Sequence, residues 1–218
     1  MRHGNVLQPA CERLLAAAGL LIASPVLAAI GTAVAVFDGR PAFFRQTRIG
    51  RNGKPFRLWK FRTMRPGAPG SRITAGGDCR VTRIGKFLRK YKLDELPQLW
   101  NVVVGEMALI GPRPEAPAFV DAANPVWTAV LASRPGITDL ATIVYRDEED
   151  VLRSAADVEQ YYREVLLPRK LALNLEYTSV RCWRTDLELL WLTVRYSLHP
   201  RGFDAAHVQR RILSKATR

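Results

Sequence analysis

Two adjacent carboxylates, Asp94 and Glu95, stand just before Pro97 at the start of a predicted helix. Because proline is tolerated in the first turn of a helix, Asp94 fits the N-cap of a helix that runs through Gln98 to about Val104. Neighbouring side chains on a helix point about 100° apart. One acid could therefore attack a substrate while the other holds a metal or a proton. An ordinary capping pair is the plainer alternative, and these residues alone leave both open.

Two cations could bind an anion beside this pair. Arg113 stands in a Gly-Pro-Arg-Pro turn, which restricts its backbone and presents a planar fork suited to phosphate. Lys60 alternates with apolar neighbours along a predicted strand, which is unusual for a lysine without an anionic partner. A purely structural turn and a snorkelling lysine are the alternatives. A second turn of similar kind, Arg-Pro-Gly-Ile-Thr, covers residues 134–138.

Local patterns predict the elements that would position these side chains. Asn52-Gly53 between two aromatic-rich runs predicts a β-hairpin. Residues 65–79 are rich in glycine and proline and predict a mobile loop. Residues 83–92 place apolar side chains at helical spacing among five cations, which fits a solvated helix, a helix on anionic lipid or a nucleic-acid-binding helix. After Tyr145 the pattern is helical, and its last stretch fits core packing or membrane-surface contact.

An uncharged segment of 24 residues runs from Leu14 to Phe37, and roughly 20 apolar residues suffice to cross a bilayer as a helix. Ser24-Pro25 lies near its centre. Pro25 has no N–H for the carbonyl of Leu21, while the Ser24 hydroxyl can bond back to a carbonyl one turn earlier. A cleaved signal peptide, a kinked spanning helix and a re-entrant hairpin are the candidates. The basic residues that follow place the C-terminal side in the cytoplasm.

Composition limits the function classes. A chain of 218 residues suits one domain plus an appendage, or at most two small domains, and 48% hydrophobic residues argue against global disorder. A net charge of +13 attracts nucleic acid, an acidic membrane leaflet or phosphate-bearing substrates. Three widely separated cysteines, Cys11, Cys79 and Cys182, indicate reduced thiols and a cytoplasmic globular part.

Taken in order, these segments resemble the bacterial sugar transferase family, the small monotopic phosphoglycosyl transferases. Besides the Ser-Pro break, the resemblance rests on FFRQTRIGRNGKPFRLWKFRTM at 43–64, KLDELPQLWNVVVGEMALIGPRP at 92–114 and RPGIT at 134–138. It covers most of the chain.

The resemblance implies a mostly helical α/β fold with two parts. The first, residues 1–38, would be a re-entrant helix-break-helix membrane segment with its break at Ser24 and Pro25. The second, residues 39–218, would be a cytoplasmic catalytic domain with a small β-hairpin and C-terminal amphipathic helices. The protein would then lie at the cytoplasmic face of a bacterial inner membrane, in contact with phospholipid.

The resemblance also implies a reaction. Asp94 matches the nucleophile that attacks the sugar-bearing phosphate of a UDP-sugar, releases UMP and passes the sugar-1-phosphate to polyprenyl (undecaprenyl) phosphate. The product would start an exopolysaccharide or another glycoconjugate. Glu95 would hold Mg²⁺ or assist the acceptor. Lys60 and Arg113, with Arg89 as a weaker candidate, would bind phosphate charge.

Some positions depart from the family pattern. Glu12 and Arg13 stand where members usually have an aspartate and further basic residues, and Asn174 replaces a frequent aspartate. After residue 138 the chain continues with Asp-Leu and a longer acidic-to-helical insertion. An inactive family member that serves as a scaffold and a membrane-anchored nucleic-acid binder are the rival functions. We expect no nucleic-acid partner, and we leave open whether the protein forms a homodimer.

Overall fold

The first and longest element is an N-terminal apolar helix. The computed structural model describes residues 8–199 and 202–214; the remaining residues, 1–7, 200–201 and 215–218, lie outside it together with the predictions that fall on them. Helix α1 spans Pro9–Ala33 and continues as a π-helical turn over Val34–Asp38. These 30 residues, with a mean hydropathy of 2.3 in their most apolar window, are long and apolar enough to cross a membrane.

Pro25 leaves the carbonyl of Leu21 without its usual N–H donor. The Ser24 hydroxyl donates to this carbonyl at 2.8 Å, as predicted, so the oxygen that proline leaves free is satisfied inside the helix. The backbone stays helical across Ser24 and Pro25, and the segment is therefore not divided into two separate helices. The re-entrant course through a bilayer stays a prediction.

One side of α1 packs on the protein and the other side is exposed. Ala16 is buried in one cluster with Val102 and Met107. Several large apolar side chains of the helix and its π turn are more than half exposed: Leu14, Leu15, Leu21, Ile22, Val36 and Phe37. An apolar surface of this extent is typical of a contact with lipid or with another protein.

The predicted β-hairpin is present. Strands β1 (Phe43–Ile49) and β2 (Pro55–Phe61) pair antiparallel and are joined by five residues rather than by a two-residue turn. Asn52 and Gly53 in this connection both have positive φ angles, 56° and 74°, which is the conformation that these two residue types tolerate best. Lys60 lies near the end of β2, in a half-buried position.

A second sheet, of two parallel strands, is absent from the sequence-based prediction. It joins β3 (Ala108–Ile110) to β4 (Gly136–Thr138). The turns that follow β3 and precede β4 approach so closely that a Cβ atom on Gly111 would lie 2.3 Å from the carbonyl oxygen of Arg134, and one on Gly136 would lie 2.1 Å from the nitrogen of Gly111. Glycine is required at both positions because no side-chain atom fits there.

The rest of the described chain is mostly helical, as predicted. Helices α2 (Arg83–Lys90) and α3 (Gln98–Val103) flank a 3₁₀ turn over Leu93–Glu95. The later helices are α4 (Pro125–Leu131), α5 (Leu140–Val144), α6 (Glu148–Leu152), α7 (Val158–Tyr161), α8 (Leu167–Val180), α9 (Trp183–Leu198) and α10 (Ala205–Leu213). Residues 65–79, all of them described, form neither helix nor strand, in agreement with the loop prediction.

Helix α9 has one buried face and one exposed face. Leu189, Leu192 and Tyr196 are buried in a cluster with side chains of α5, α8 and α10. Its other face exposes more than half of each of five large apolar side chains: Trp183, Leu187, Trp191, Val194 and Leu198. Core packing, one of the two expectations for this stretch, is therefore confirmed for the first face.

Candidate active site

Asp94 and Glu95 lie in the 3₁₀ turn between α2 and α3, so the expectation that Asp94 caps a helix is wrong. Pro97 itself occupies the N-cap position of α3, and the two acids precede it. Lys92 enters the turn in a left-handed conformation, φ 55° and ψ 21°, which costs a non-glycine residue on the order of 1–3 kcal/mol. The chain reverses sharply here, and both carboxylates become buried beside a cavity.

The cavity beside the two carboxylates is small and highly charged. Its volume is about 130 Å³, and seven basic and five acidic side chains line it. Lys60, Arg89 and Arg113 are among them, so the structure brings all the predicted catalytic and phosphate-binding residues to one cavity. A second cavity of about 540 Å³ adjoins it and shares Arg89 and Lys92 with it. The surplus of basic groups suits a phosphate-bearing ligand.

Glu95 is held by two cations. Lys60 donates from Nζ to Oε1 at 2.8 Å, and the guanidinium of Arg113 donates to Oε1 and, at 3.1 Å, to Oε2. Burial alone would raise the pKa of Glu95, but Arg113 and Lys60 outweigh it and hold the pKa well below its ordinary value of 4.5. The predicted anionic partner of Lys60 is therefore Glu95.

Asp94 is in the opposite condition. Asp94 is only 7% exposed, and its Oδ1 atom is buried without a hydrogen-bond partner in the described part of the chain. Burial raises the pKa of Asp94 above its ordinary value of 3.8, Lys60 opposes the rise and Glu95 adds to it. A buried carboxylate oxygen without a donor is costly. Its presence indicates a group that is reserved for a ligand or for chemistry.

Arg113 is fixed from its backbone as well as through Glu95. Its N–H donates to Oδ2 of Asp139 at 2.9 Å, and Asp139 also caps α5 by accepting from the N–H of Thr142. The Gly-Pro-Arg-Pro turn is thereby tied to the start of α5. The pKa of Arg113 is raised, chiefly by Glu95, so its side chain stays charged.

Arg89 lies in the same cavity but bonds away from the two acids. Its Nη2 atom donates to Oε1 of Glu149 at 2.6 Å, and the Glu149 side chain is 39% exposed. A surface-accessible ion pair of this kind is weak, about 0–1 kcal/mol. An incoming phosphate could therefore replace Glu149 as the partner of Arg89 at low cost, and the role of Arg89 as a weaker candidate for phosphate binding stays a prediction.

Other positions that the sequence singled out do not line this cavity. Ser24 and Pro25 lie in α1, outside the cavity. Glu12, at the start of the same helix, is 1% exposed and pairs with Arg134 at 2.6 Å, which ties the N-terminal helix to the second turn. Asn174 is buried on α8.

Sequence patterns miss a second group of cavity residues, which we call the Lys170 cluster: Arg48, Glu115, Glu148, Tyr162 and Lys170. Lys170 donates to Oε2 of Glu148 at 2.8 Å, and the Tyr162 hydroxyl donates to Oε1 of Glu115 at 2.7 Å. One signal was available for Lys170. It repeats at helical spacing with the buried residues of α8, and a charged residue on such a face requires a partner.

The carboxylates do not form a ready-made metal site. In residues 8–199 and 202–214 there is no group of three or more His, Cys, Asp or Glu side chains that could hold a metal. Both oxygens of Glu95 are occupied by Arg113 and Lys60. Mg²⁺, however, is commonly held by one or two carboxylates together with substrate phosphates. Glu95 would therefore have oxygens for Mg²⁺ only if Arg113 and Lys60 turned to a ligand's phosphates, and Mg²⁺ stays a prediction.

Comparison with known proteins defines the class. The bacterial sugar transferase profile matches residues 3–200, and the chain belongs to this family. It is 36% identical over 198 residues to UDP-glucose:undecaprenyl-phosphate glucose-1-phosphate transferase of Escherichia coli, across 87% of this chain and 40% of that protein. The protein of the same name from Caulobacter vibrioides is 39% identical, across 82% of this chain and 65% of its own length.

A third relative acts on a different sugar by name. It is the UDP-N-acetylgalactosamine-undecaprenyl-phosphate N-acetylgalactosaminephosphotransferase of Aeromonas hydrophila, 37% identical across 68% of this chain and 37% of its own length. The chain thus spans between about a third and two thirds of the length of these three relatives. Relatives at similar identity thus carry names with different donor sugars.

Proposed function

We propose that this chain transfers a sugar-1-phosphate from a UDP-sugar to undecaprenyl phosphate, with release of UMP, through a covalent intermediate on Asp94. The observation that carries the proposal is the buried Oδ1 atom of Asp94, which has no hydrogen-bond partner in the described chain and lies beside a cation-rich cavity. The names of the relatives support the general reaction.

The reaction would proceed in two displacements at one phosphorus atom. First, a carboxylate oxygen of Asp94 attacks the phosphorus that bears the sugar, and the bond from that phosphorus to the oxygen of UMP breaks. UMP leaves with the negative charge, and the sugar phosphate stays on Asp94 as an acyl phosphate. Second, a phosphate oxygen of the lipid attacks the same phosphorus, and the Asp94 carboxylate leaves. Covalent catalysis of this kind divides one transfer into two steps.

The different surroundings of the two acids support Asp94 rather than Glu95 as the nucleophile. The Glu95 oxygens accept hydrogen bonds from Arg113 and Lys60, so an attack by Glu95 would first have to break these bonds. An Asp94 oxygen has no such bond to lose. Neighbouring acids with pKa values driven apart commonly divide catalytic roles in this way. Glu95 would hold the two cations in place for the donor's phosphates.

Mg²⁺ forms part of the proposal. Glu95 would hold it together with the donor's diphosphate, after the phosphates have engaged Arg113 and Lys60. When bound, the metal neutralises charge on the diphosphate and on the departing UMP. Removal of divalent ions with EDTA should lower UMP release, and added Mg²⁺ should restore it. Full activity in EDTA would exclude a metal requirement.

Attachment to the cytoplasmic face of the inner membrane is also proposed. The exposed apolar side chains of α1 and of the outer face of α9 would contact phospholipid, and the net charge of +13 favours an anionic leaflet. Position at the membrane would let the cavity meet a lipid phosphate that cannot leave the bilayer. The re-entrant course of α1 would keep both of its ends on one side.

The course of α1 can be tested with the natural cysteines. Cys11 near its start and Cys79 in the globular part are both exposed and free. In single-cysteine variants within intact spheroplasts, a re-entrant helix should protect both thiols from an impermeant maleimide. Lysis should expose both. Labelling of Cys11 but not Cys79 before lysis would instead establish a helix that spans the membrane.

The covalent step can be tested directly. Full-length protein in detergent is incubated with a UDP-sugar labelled in the sugar, without the lipid acceptor. The chain is then separated from the free donor under denaturing conditions at neutral pH. We expect label on the wild-type chain and none on Asp94→Asn, whereas Asp121→Asn, at an exposed loop position, should label like the wild type. Equal labelling of Asp94→Asn would exclude Asp94 as the nucleophile.

A further inference from the structure

In the Lys170 cluster, the carboxylate of Glu148 is held in place through one of its two oxygens. Lys170 is 4% exposed and donates to Oε2 of Glu148 at 2.8 Å. The other oxygen, Oε1, accepts no hydrogen bond from any residue in the described ranges, and the side chain, which lines the cavity, is 30% exposed. The second acid of the cluster differs, since Glu115 already receives Tyr162 and lies 3.5 Å from Arg48.

Glu148 is ionised and lies close to the phosphate-binding side chains. Burial tends to raise its pKa, but Lys170 and, more weakly, Arg113 and Lys92 lower it below 4.5. A carboxylate in this state only accepts hydrogen bonds. It repels phosphate and accepts hydrogen bonds, so of the parts of a nucleotide-sugar it can receive a hydroxyl group of the sugar, or a donor of the nucleoside (a ribose hydroxyl or the uracil N3–H).

The arrangement of the two cavities separates these alternatives. Glu148 lines the 130 Å³ cavity together with Asp94, whereas the larger 540 Å³ cavity lies beyond Arg89 and Glu149, which line both. The phosphorus attacked by Asp94 carries the sugar directly, while the ribose is one further phosphate away. The smaller cavity therefore suits the sugar and its phosphate, and the larger one suits the nucleoside.

On the basis of the proposed function, we infer that Glu148, anchored by Lys170, binds a hydroxyl group of the donor's sugar and helps to select the sugar. Lys170 is a positioning residue, since it acts through Glu148. Helix α6, which begins with Glu148, lies in the insertion where this chain departs from the family pattern. Specificity for the sugar would thus reside in a segment that carries none of the motifs.

The test measures kcat/KM for UMP release from full-length protein in detergent with undecaprenyl phosphate. Donors are the best UDP-sugar of the wild type and its monodeoxy-fluoro analogues, each of which lacks one hydroxyl donor. For one analogue, we expect kcat/KM of the wild type to fall about 10- to 100-fold, the range for the loss of a hydrogen bond to a charged group. The same replacement should cost Glu148→Gln less than about threefold, because the partner is already gone.

Two further variants keep the result interpretable. Glu148→Asp retains the charge but withdraws the carboxylate, so it should change the ratio between donors even if Glu148→Gln is too unstable to purify. Glu176→Gln, at an exposed position of α8, should behave like the wild type with every analogue. If every analogue loses the same factor in wild type and in both Glu148 variants, the inference is overturned.

Inhibition by UMP distinguishes sugar from ribose. If Glu148 binds the donor's transferred sugar, the inhibition constant of UMP stays within about twofold in Glu148→Gln, because UMP lacks that sugar and keeps the ribose and the base. A tenfold increase in that constant would assign Glu148 to the nucleoside instead of the transferred sugar and overturn the inference. Failure of the wild type to release UMP from any donor would instead count against the proposed function itself.

Discussion

Two charged clusters face one cavity, and they share their cations differently. In the dyad cluster (Lys60, Asp94, Glu95 and Arg113), both cations bond to Glu95, and Oδ1 of Asp94 is left without a partner in the described chain. In the Lys170 cluster, each acid has a donor of its own. When both cations bond to one of two neighbouring acids, the pKa values of the two acids move apart. When each acid has a donor of its own, both carboxylates are held in position. The first arrangement suits a nucleophile and the second suits binding.

The strongest test of this difference between the two clusters removes the carboxylate of Asp94. Asp94→Asn should lower UMP release by at least about a thousandfold, because removal of a nucleophile costs several orders of magnitude. Its thermal stability should not fall, since the wild-type Oδ1 atom lacks a partner within the described ranges and the amide is uncharged. Asp121→Asn is the control in both assays. An active Asp94→Asn variant would assign the chemistry to another group.

The next test changes Arg113, the cation that bonds to both oxygens of Glu95. Arg113→Lys keeps the positive charge but loses the planar fork that bonds to both oxygens of Glu95. We expect kcat/KM for UMP release to fall about 10- to 100-fold, the range for a lost hydrogen bond between charged groups. Arg163→Lys, at an exposed position, should change it less than twofold. An unaltered rate in Arg113→Lys would mean that charge alone suffices at this position.

The pH dependence tests the electrostatic difference between the two acids. Asp94 attacks only when ionised, and burial raises its pKa above 3.8. UMP release should therefore fall as the pH drops through this raised pKa, with a midpoint above 3.8. Lys60 lowers the pKa of Asp94, so Lys60→Met should move the midpoint to higher pH. Lys54→Met, at an exposed hairpin position, should leave it in place, and an equal midpoint in all three proteins would contradict this account.

The same two acids have opposite effects on stability. Because the pKa of Asp94 is raised on folding, its contribution is present below 3.8 and is lost as the pH rises through the folded pKa. Because the pKa of Glu95 is lowered, its contribution is present above 4.5 and is lost only as the pH falls through the folded pKa, well below that value. At neutral pH Glu95 therefore stabilises the turn that Asp94 strains.

The sequence predicted the dyad cluster better than the Lys170 cluster, and the reason is physical. Asp94, Glu95 and Arg113 stand beside prolines in two short motifs, LDELP and GPRP, which the local pattern and the family resemblance both single out. The partner of Lys60 could be expected as an acid, although not identified, from its place on a half-buried strand. By contrast, Glu148 and Lys170 are 22 residues apart on two helices. Their meeting depends on helix packing, which local patterns do not encode.

One local expectation failed and one sheet was missed, both where tertiary structure decides. The N-cap at Asp94 followed from proline preference, but left-handed Lys92 begins the turn two residues earlier and places the acid in the cavity. The parallel pairing of β3 with β4 joins strands of three residues each, too short for an alternating pattern. The hairpin and the hydroxyl bond of Ser24 could be predicted because both depend on contacts within a few residues.

The smallest expected effect concerns the Lys170 cluster. Tyr162→Phe removes the hydroxyl that donates to Oε1 of Glu115 at 2.7 Å. Within the described residues, the Glu115 carboxylate then keeps Arg48 alone, 3.5 Å away. A buried acceptor left without its donor costs about 1–3 kcal/mol, so the variant should unfold at lower denaturant concentration in detergent. Burial, chiefly, raises the pKa of Tyr162 well above 10.0, and the loss should therefore be constant from pH 7 to 9.

Activity separates this role from that of the dyad cluster. Because Tyr162 bonds to an acid that already has a cation beside it, UMP release by Tyr162→Phe should stay within about threefold of the wild type. Tyr161→Phe, at the preceding and less buried position, should match the wild type in both assays. A hundredfold loss of activity in Tyr162→Phe without loss of stability would place Tyr162 among the groups that touch the substrate, and the two clusters would then act as one site.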